Sequence, residues 1–175
     1  MQPMTTIALR AARKAGELIV RASDDLDRLT VRSKSPTDFV SEVDEQAEEE
    51  IVKQLQRAYP DHAILGEESG YSGPEDAEYC WIIDPLDGTT NFLRGIPHFA
   101  VSIACLYRGK LEHAVIVDPV RREEFISSRG RGAQLNGRRL RVSKRANLDT
   151  ALMGSGIPLR GHKEETLPTS ADTMV

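Results

Sequence analysis

An α+β layer structure is predicted, in which two helices precede an antiparallel sheet, and three observations predict it. Apolar residues recur at three- and four-residue spacing in two N-terminal segments, the period changes to two after residue 60, and the short apolar runs that follow are separated by close turn signals. With 175 residues and 39% hydrophobic content, the chain is long enough for one domain that buries roughly 70% of its unfolded surface.

In the first segment Ile7, Ala11, Ala15, Leu18 and Ala22 share a face, while Arg10, Arg13, Lys14, Glu17 and Arg21 lie elsewhere; this is an amphipathic helix of about five turns. In the second, Ala47, Ile51, Leu55 and Ala58 form the stripe. Glu42, Asp44 and Glu45 crowd its start, where a helix favours negative charge, and Tyr59-Pro60-Asp61 closes it. Residues 24–41, between the helices, read as a loop or short hairpin containing Lys34 and Asp38. Ala63-Ile64-Leu65 is a short strand ending at Gly66-Glu67-Glu68-Ser69, and residues 70–78 form a polar turn region. Residues 80–83 are the next strand, which Pro85 should stop because it has no N–H to pair. Residues 99–107 and 111–117 make a hairpin around Arg108-Gly109-Lys110. Asp118-Pro119 turns the chain, residues 124–127 return, and Asn136-Gly137 leads into a last strand at 140–142. Leu167-Pro168-Thr169-Ser170-Ala171-Asp172 looks like a helix start with only three residues after it, which suggests truncation.

Charge and composition narrow the classes. The formal net charge is −4, so the molecule as a whole is no general polyanion binder. Between positions 121 and 145, however, Arg121, Arg122, Arg129, Arg131, Arg138, Arg139, Arg141, Lys144 and Arg145 face only Glu123 and Glu124. Without interleaved aromatics this stretch reads as a solvated face of twisted strands in preference to a nucleic-acid surface. Cys80 and Cys105 sit inside apolar runs, away from disulfide or metal-ligand spacing, so a reducing compartment is expected, with the cytoplasm as its default. No stretch approaches the roughly 18 apolar residues of a membrane span.

The chemistry concentrates in Trp81-Ile82-Ile83-Asp84-Pro85-Leu86-Asp87-Gly88-Thr89-Thr90. An apolar strand ends there in two carboxylates, then in a glycine and two hydroxyls that can open a helix with free N–H groups and a hydroxyl cap. Glu67 and Glu68 end another predicted strand and would converge on Asp84 and Asp87 if the two strands are neighbours. Carboxylates so gathered repel one another unless cations intervene, and the absence of histidine and cysteine among them favours Mg²⁺ or Mn²⁺ over zinc. Two such ions can activate a water and steady a leaving oxygen. Thr89 could orient the water, and the Gly88 and Thr89 amides could hold phosphate oxygens. Singly, each residue has a plainer reading: Asp84-Pro85 and Asp87-Gly88 as turns, Asp44 as a first-turn acid after a Ser41 cap, Lys34 as a surface lysine. Their co-occurrence favours the site.

The string Asp84-Pro85-Leu86-Asp87-Gly88-Thr89-Thr90-Asn91-Phe92, with Gly66-Glu67-Glu68-Ser69 and the run from Lys34 through Asp38 to Asp44, resembles the inositol monophosphatase family of Mg²⁺-dependent, lithium-sensitive phosphatases. Residues 97–104 and 129–133 extend the likeness. The resemblance implies a layered α-β-α-β-α sandwich, of which residues 1–150 would supply the helix pair and the metal-bearing sheet, and 151–175 the start of a truncated C-terminal subdomain. It implies that Glu67, Asp84 and the Leu86 carbonyl bind a first Mg²⁺, and that Asp84 bridges to a second held with Asp87, in a site of two or three ions. Glu67 and Thr89 would orient the attacking water, with Asp44 supporting Thr89, and Leu86, Asp87, Gly88 and Thr89 would line the phosphate. The family's Trp-Asp motif, which completes the second ion's site, lies in a C-terminal half that these 175 residues do not include; the only tryptophan is Trp81. Weak or absent activity is therefore expected of this chain.

The implied reaction is phosphomonoester hydrolysis of inositol 1-phosphate or a related polyol or sugar phosphate, by a homodimer at full length. Relatives that act on nucleotide or sugar bisphosphates share the metal motif. A role of another class is also implied, because bacterial members of the family are associated with transcription antitermination, with RNA polymerase or Nus factors as partners. A gene fragment without independent function is the plainest alternative.

Overall fold

The computed structural model describes residues 2–26, 31–35, 38–144 and 147–154, with the backbone alone for 31–35, 38–41 and 150. Helix α1 (Pro3–Ser23) begins on a proline, whose fixed φ suits a first helical position. Its buried face is Ala8, Leu9, Ala11, Ala12, Ala15, Gly16 and Ile19. This face is turned by about one residue from the expected stripe, leaving Ile7, Leu18 and Ala22 only half-buried. Alanine lies on both sides of the helix, and the small side chains of Ala8, Ala12 and Ala15 form the face that permits close approach. The hairpin expected before the second helix is present as β1 (Val31–Ser35) and β2 (Asp38–Ser41), paired antiparallel.

Helix α2 (Glu42–Ala58) buries Val43, Ala47, Ile51 and Leu55, and on the same face Asp44 and Glu48. Ala58, expected in the stripe, is exposed. The strands follow as β3 (Ala63–Gly66), β4 (Gly70–Ser72), β5 (Tyr79–Asp87), β6 (Ala100–Tyr107), β7 (Lys110–Asp118), β8 (Glu123–Ser128), β9 (Gly132–Leu135) and β10 (Arg138–Arg139), with a short helix α3 (Thr89–Leu93) after β5. Among the described residues they form one eight-stranded sheet in the order β10-β9-β8-β7-β6-β5-β3-β4.

The class is α+β, as expected, with four differences of detail. The sheet is mixed, because β3 runs parallel to β5 with Gly66 opposite Ile83, while the remaining pairs are antiparallel. Residues 70–72, expected as turn, form β4 and pair back on β3; Gly70 at φ 72° makes the reversal. Strand β5 does not stop at Pro85. It continues to Asp87 through an irregularity in its register with β6 between Asp84 and Asp87, where a proline needs no partner. The last strand is Arg138–Arg139, and Val142 is 93% exposed instead of lying in it. The helix start expected at 167–172, and most of the expected C-terminal subdomain, lie outside the described residues.

Both helices cover one sheet face. Trp81, Ile83 and Leu86 of β5, Val101, Ile103 and Cys105 of β6, and Val115 and Val117 of β7 point into that layer. Trp81 donates its indole N–H to His62 Nδ1 at 3.1 Å. Cys80 and Cys105 are both free thiols, and burial pushes Cys105 up to about 12, a setting in which it does not react. No helix among the described residues is long and apolar enough to cross a membrane. Ile51 is fully buried between helix and sheet, so Ile51→Ala is expected to lower the unfolding free energy by about 2–5 kcal/mol in urea titrations. A loss below about 1 kcal/mol would mean that α2 is not packed as described.

Candidate metal and phosphate site

The parallel pairing of β3 and β5 sends two neighbouring strands out at the same end of the sheet. The ladder continues one residue past β3, where the Glu67 N–H donates to the Ile83 carbonyl at 3.1 Å. Glu67 therefore follows β3 beside Asp84 on β5, close enough for its carboxyl to act on that of Asp84. Burial, then the charge and hydrogen bond of Glu67, then the charge of Asp87 push Asp84 from the ordinary 3.8 up to about 7. The Leu86 N–H, donating to Asp84 Oδ1 at 3.2 Å, works the other way. A carboxyl raised by its neighbours marks negative charge gathered without a counter-charge, which a cation could supply. All the donors are oxygens, which suits Mg²⁺ or Mn²⁺. Among the described residues no three acidic, histidine or cysteine side chains converge into a ready cage. The geometry is a pair of acids on neighbouring strand ends, with Asp87 acting on Asp84 through charge.

Asp87 is exposed at the end of β5, and Gly88 follows at φ 100°. A Cβ at Gly88 would stand 3.0 Å from the His98 carbonyl oxygen, so both the backbone angle and the close approach require glycine. Gly88 is also the N-cap of α3 and makes no side-chain cap. The expected hydroxyl cap is absent because Thr89 is turned the other way. Its Oγ1 lies 3.0 Å from Asp44 Oδ1 and 3.1 Å from the Leu86 carbonyl. One hydroxyl proton serves one of these acceptors at a time. Asp44 is 2% exposed in the first turn of α2, so Thr89 is tied to the helix layer beneath it.

Of the residues expected at the site, Glu67, Asp84, Leu86, Asp87, Gly88, Thr89 and Asp44 are gathered around the end of β5. The side chains of Lys34 and Asp38 lie outside the described ones. The Glu68 side chain is not part of the pair; its backbone N–H is bound by Glu48 Oε2 at 2.9 Å, and the next N–H, of Ser69, by Glu48 Oε1 at 2.8 Å. Glu48 was not anticipated. Its signal is an acid inside the apolar stripe, one residue after Ala47 and three before Ile51. Two arginines of the basic stretch are paired, Arg121 with Asp118 at 3.1 Å and Arg129 with Glu112 at 3.1 Å, while Arg13 takes up Glu124, one of the stretch's own two acids, at 2.6 Å.

Residues 1–172 match the inositol monophosphatase family. The chain is 61% identical over 169 residues to a Pseudomonas aeruginosa protein named Nus factor SuhB, an alignment covering 95% of this chain and 62% of that protein. A crystal structure of the extragenic suppressor protein suhB from Bartonella henselae superposes with a TM-score of 0.80 at 45% identity, over 82% of this chain and 56% of that one. A Thermotoga maritima IMPase superposes with a TM-score of 0.75 at 33% identity, over 83% of this chain and 56% of that one. The chain thus spans about 62% of the length of the Pseudomonas relative. On its sequence and its fold, this chain belongs to the inositol monophosphatase family.

Proposed function

We propose that residues 1–150 carry the metal- and phosphate-binding part of an Mg²⁺-dependent phosphomonoesterase site, with inositol 1-phosphate or a related polyol or sugar phosphate as substrate. The supporting observation is the Glu67–Asp84 pair at the ends of two parallel strands, with Asp87 beside it and a glycine-opened turn one residue on. Glu67, Asp84 and the Leu86 carbonyl would hold one Mg²⁺, and Asp84 with Asp87 a second. When bound, such ions supply Lewis acidity toward a phosphoryl oxygen and make a nearby water easier to deprotonate.

The chain's own residues do the rest. Asp84, which burial and the charge of Glu67 push toward its neutral form, would be ionised when it holds the cation. Thr89, while donating to Asp44, keeps lone pairs with which to accept from a water, so Asp44 fixes the direction in which Thr89 can orient it. Glu67 accepts from the same water on its other side. Gly88, without a side chain, lets the 87–89 backbone approach phosphate oxygens. Bisphosphate substrates of the same superfamily are compatible with this half of the site.

A second reading concerns partners. The Pseudomonas relative is named a Nus factor, which supports a role for this chain in transcription antitermination through RNA polymerase or Nus-factor contacts in the cytoplasm, as a homodimer at full length. It does not compete with hydrolysis for the same residues.

Whatever phosphate release from inositol 1-phosphate this chain supports is expected to need Mg²⁺, to be suppressed by lithium and to be lost in Asp84→Asn; Mg²⁺-independent release, or release untouched by that substitution, would refute the assignment. The raised pKa also predicts how pH and metal combine. The folded chain retains at Asp84 a proton that the unfolded chain has lost, so the stability Asp84 contributes is complete below about 4 and is lost as pH rises through about 7. Mg²⁺ should restore it where the proton is gone. At ten times its pH 8 Kd, Mg²⁺ should raise Tm by about 3–6 °C at pH 8, and the same concentration should raise it by much less at pH 5. Equal shifts at the two pH values would show that Mg²⁺ does not replace that proton.

A further inference from the structure

Helix α2 reaches the site twice. Asp44 and Glu48 are one turn apart on its buried face, at 2% and 3% exposure. Asp44 accepts from the Thr89 hydroxyl, whereas Glu48 accepts from the two N–H groups that immediately follow Glu67. Glu67 is consequently fixed on both sides. Its own N–H is bonded to Ile83 of β5, and the next two are bonded to one carboxylate of a packed helix.

The residue before Glu67 records the same contact. A Cβ on Gly66 would lie 2.5 Å from the Glu48 carboxyl carbon, and equally close to Oε1. The space that a side chain at position 66 would fill is already taken by the carboxylate, and Gly66 has an ordinary φ, so the requirement for glycine is one of room.

We propose that Glu48 is a positioning residue, which acts through the 67–69 backbone to hold the Glu67 carboxylate against Asp84 at the separation a divalent cation needs. This rests on the metal-site reading above. Glu48 itself touches neither cation nor substrate. With Asp44 it makes one rigid helix face the common reference for Glu67 and Thr89, which come from different strand ends. A carboxylate that merely satisfied two amides would contribute stability alone, whereas one that sets Glu67 also sets the affinity for the cation.

Mn²⁺ binding by the full 175-residue chain, followed by electron paramagnetic resonance beside far-UV circular dichroism, separates these roles. Glu48→Gln keeps shape but turns an amide donor toward one of the two N–H groups, and it is expected to preserve the helical signal while weakening Mn²⁺ about 10-fold or more. Asp84→Asn is expected to abolish the specific site. If Asp84→Asn abolishes binding but folded Glu48→Gln keeps a Kd within about twofold of the parent, whatever its Tm, the positioning role is overturned while the metal site stands. If Asp84→Asn binds like the parent, the metal reading fails and this inference with it. Should Glu48→Gln not fold, Gly66→Ala displaces the same carboxylate from the other side and is judged by the same two results.

Discussion

The parallel pairing of β3 with β5 is the constraint from which the rest of the site follows. Antiparallel neighbours present opposite ends at each edge of a sheet, so two carboxylates at the carboxyl ends of such strands would stand far apart. Running the two strands in parallel, with Gly66 opposite Ile83, puts Glu67 and Asp84 side by side. Parallel strands require a crossover, and here β4 and the segment leading to Tyr79 carry the chain back to start β5. The irregular register at Asp84–Asp87 then lets the strand turn out toward solvent without breaking its pairing with β6.

Bringing these acids together opposes folding, and the cost falls on Asp84, which burial and the charges of Glu67 and Asp87 push up to about 7. What keeps the arrangement in place is packing on the opposite side of the backbone. Trp81, Ile83 and Leu86 of β5 are nearly fully buried against the helices. Phe92 of α3 meets Phe99 edge-on, with ring centroids 5.5 Å apart, anchoring the turn that follows Gly88. The apolar layer therefore supplies the free energy that holds an unfavourable polar edge in position, a common relation between core and functional site.

Much of this was legible in the residues. The i, i+3, i+4 spacing located both helices, and the passage from an apolar run to Asp84, Asp87 and Gly88 located the site, because strand ends and turns are written locally. What escaped was non-local. Nothing within residues 63–66 or 79–87 states that they pair, still less in which direction, and β4 is too short and polar to carry a period. Pro85 cannot donate and so signals a strand end, yet an irregular register asks no donation of it. The face of α1 was misjudged by about one residue because alanine buries equally well on either side. Glu48 was passed over because an acid among the many of α2 looks like surface; its place between Ala47 and Ile51 in the apolar stripe was the available sign.

The central claim is that Glu67 and Asp84 form one cation site whose proton a metal replaces. Anomalous scattering from crystals of the chain soaked in Mn²⁺ tests it most directly. The account predicts a peak within about 2.5 Å of carboxylate oxygens of both Glu67 and Asp84. Mn²⁺ bound elsewhere, with no peak between Glu67 and Asp84, would contradict it.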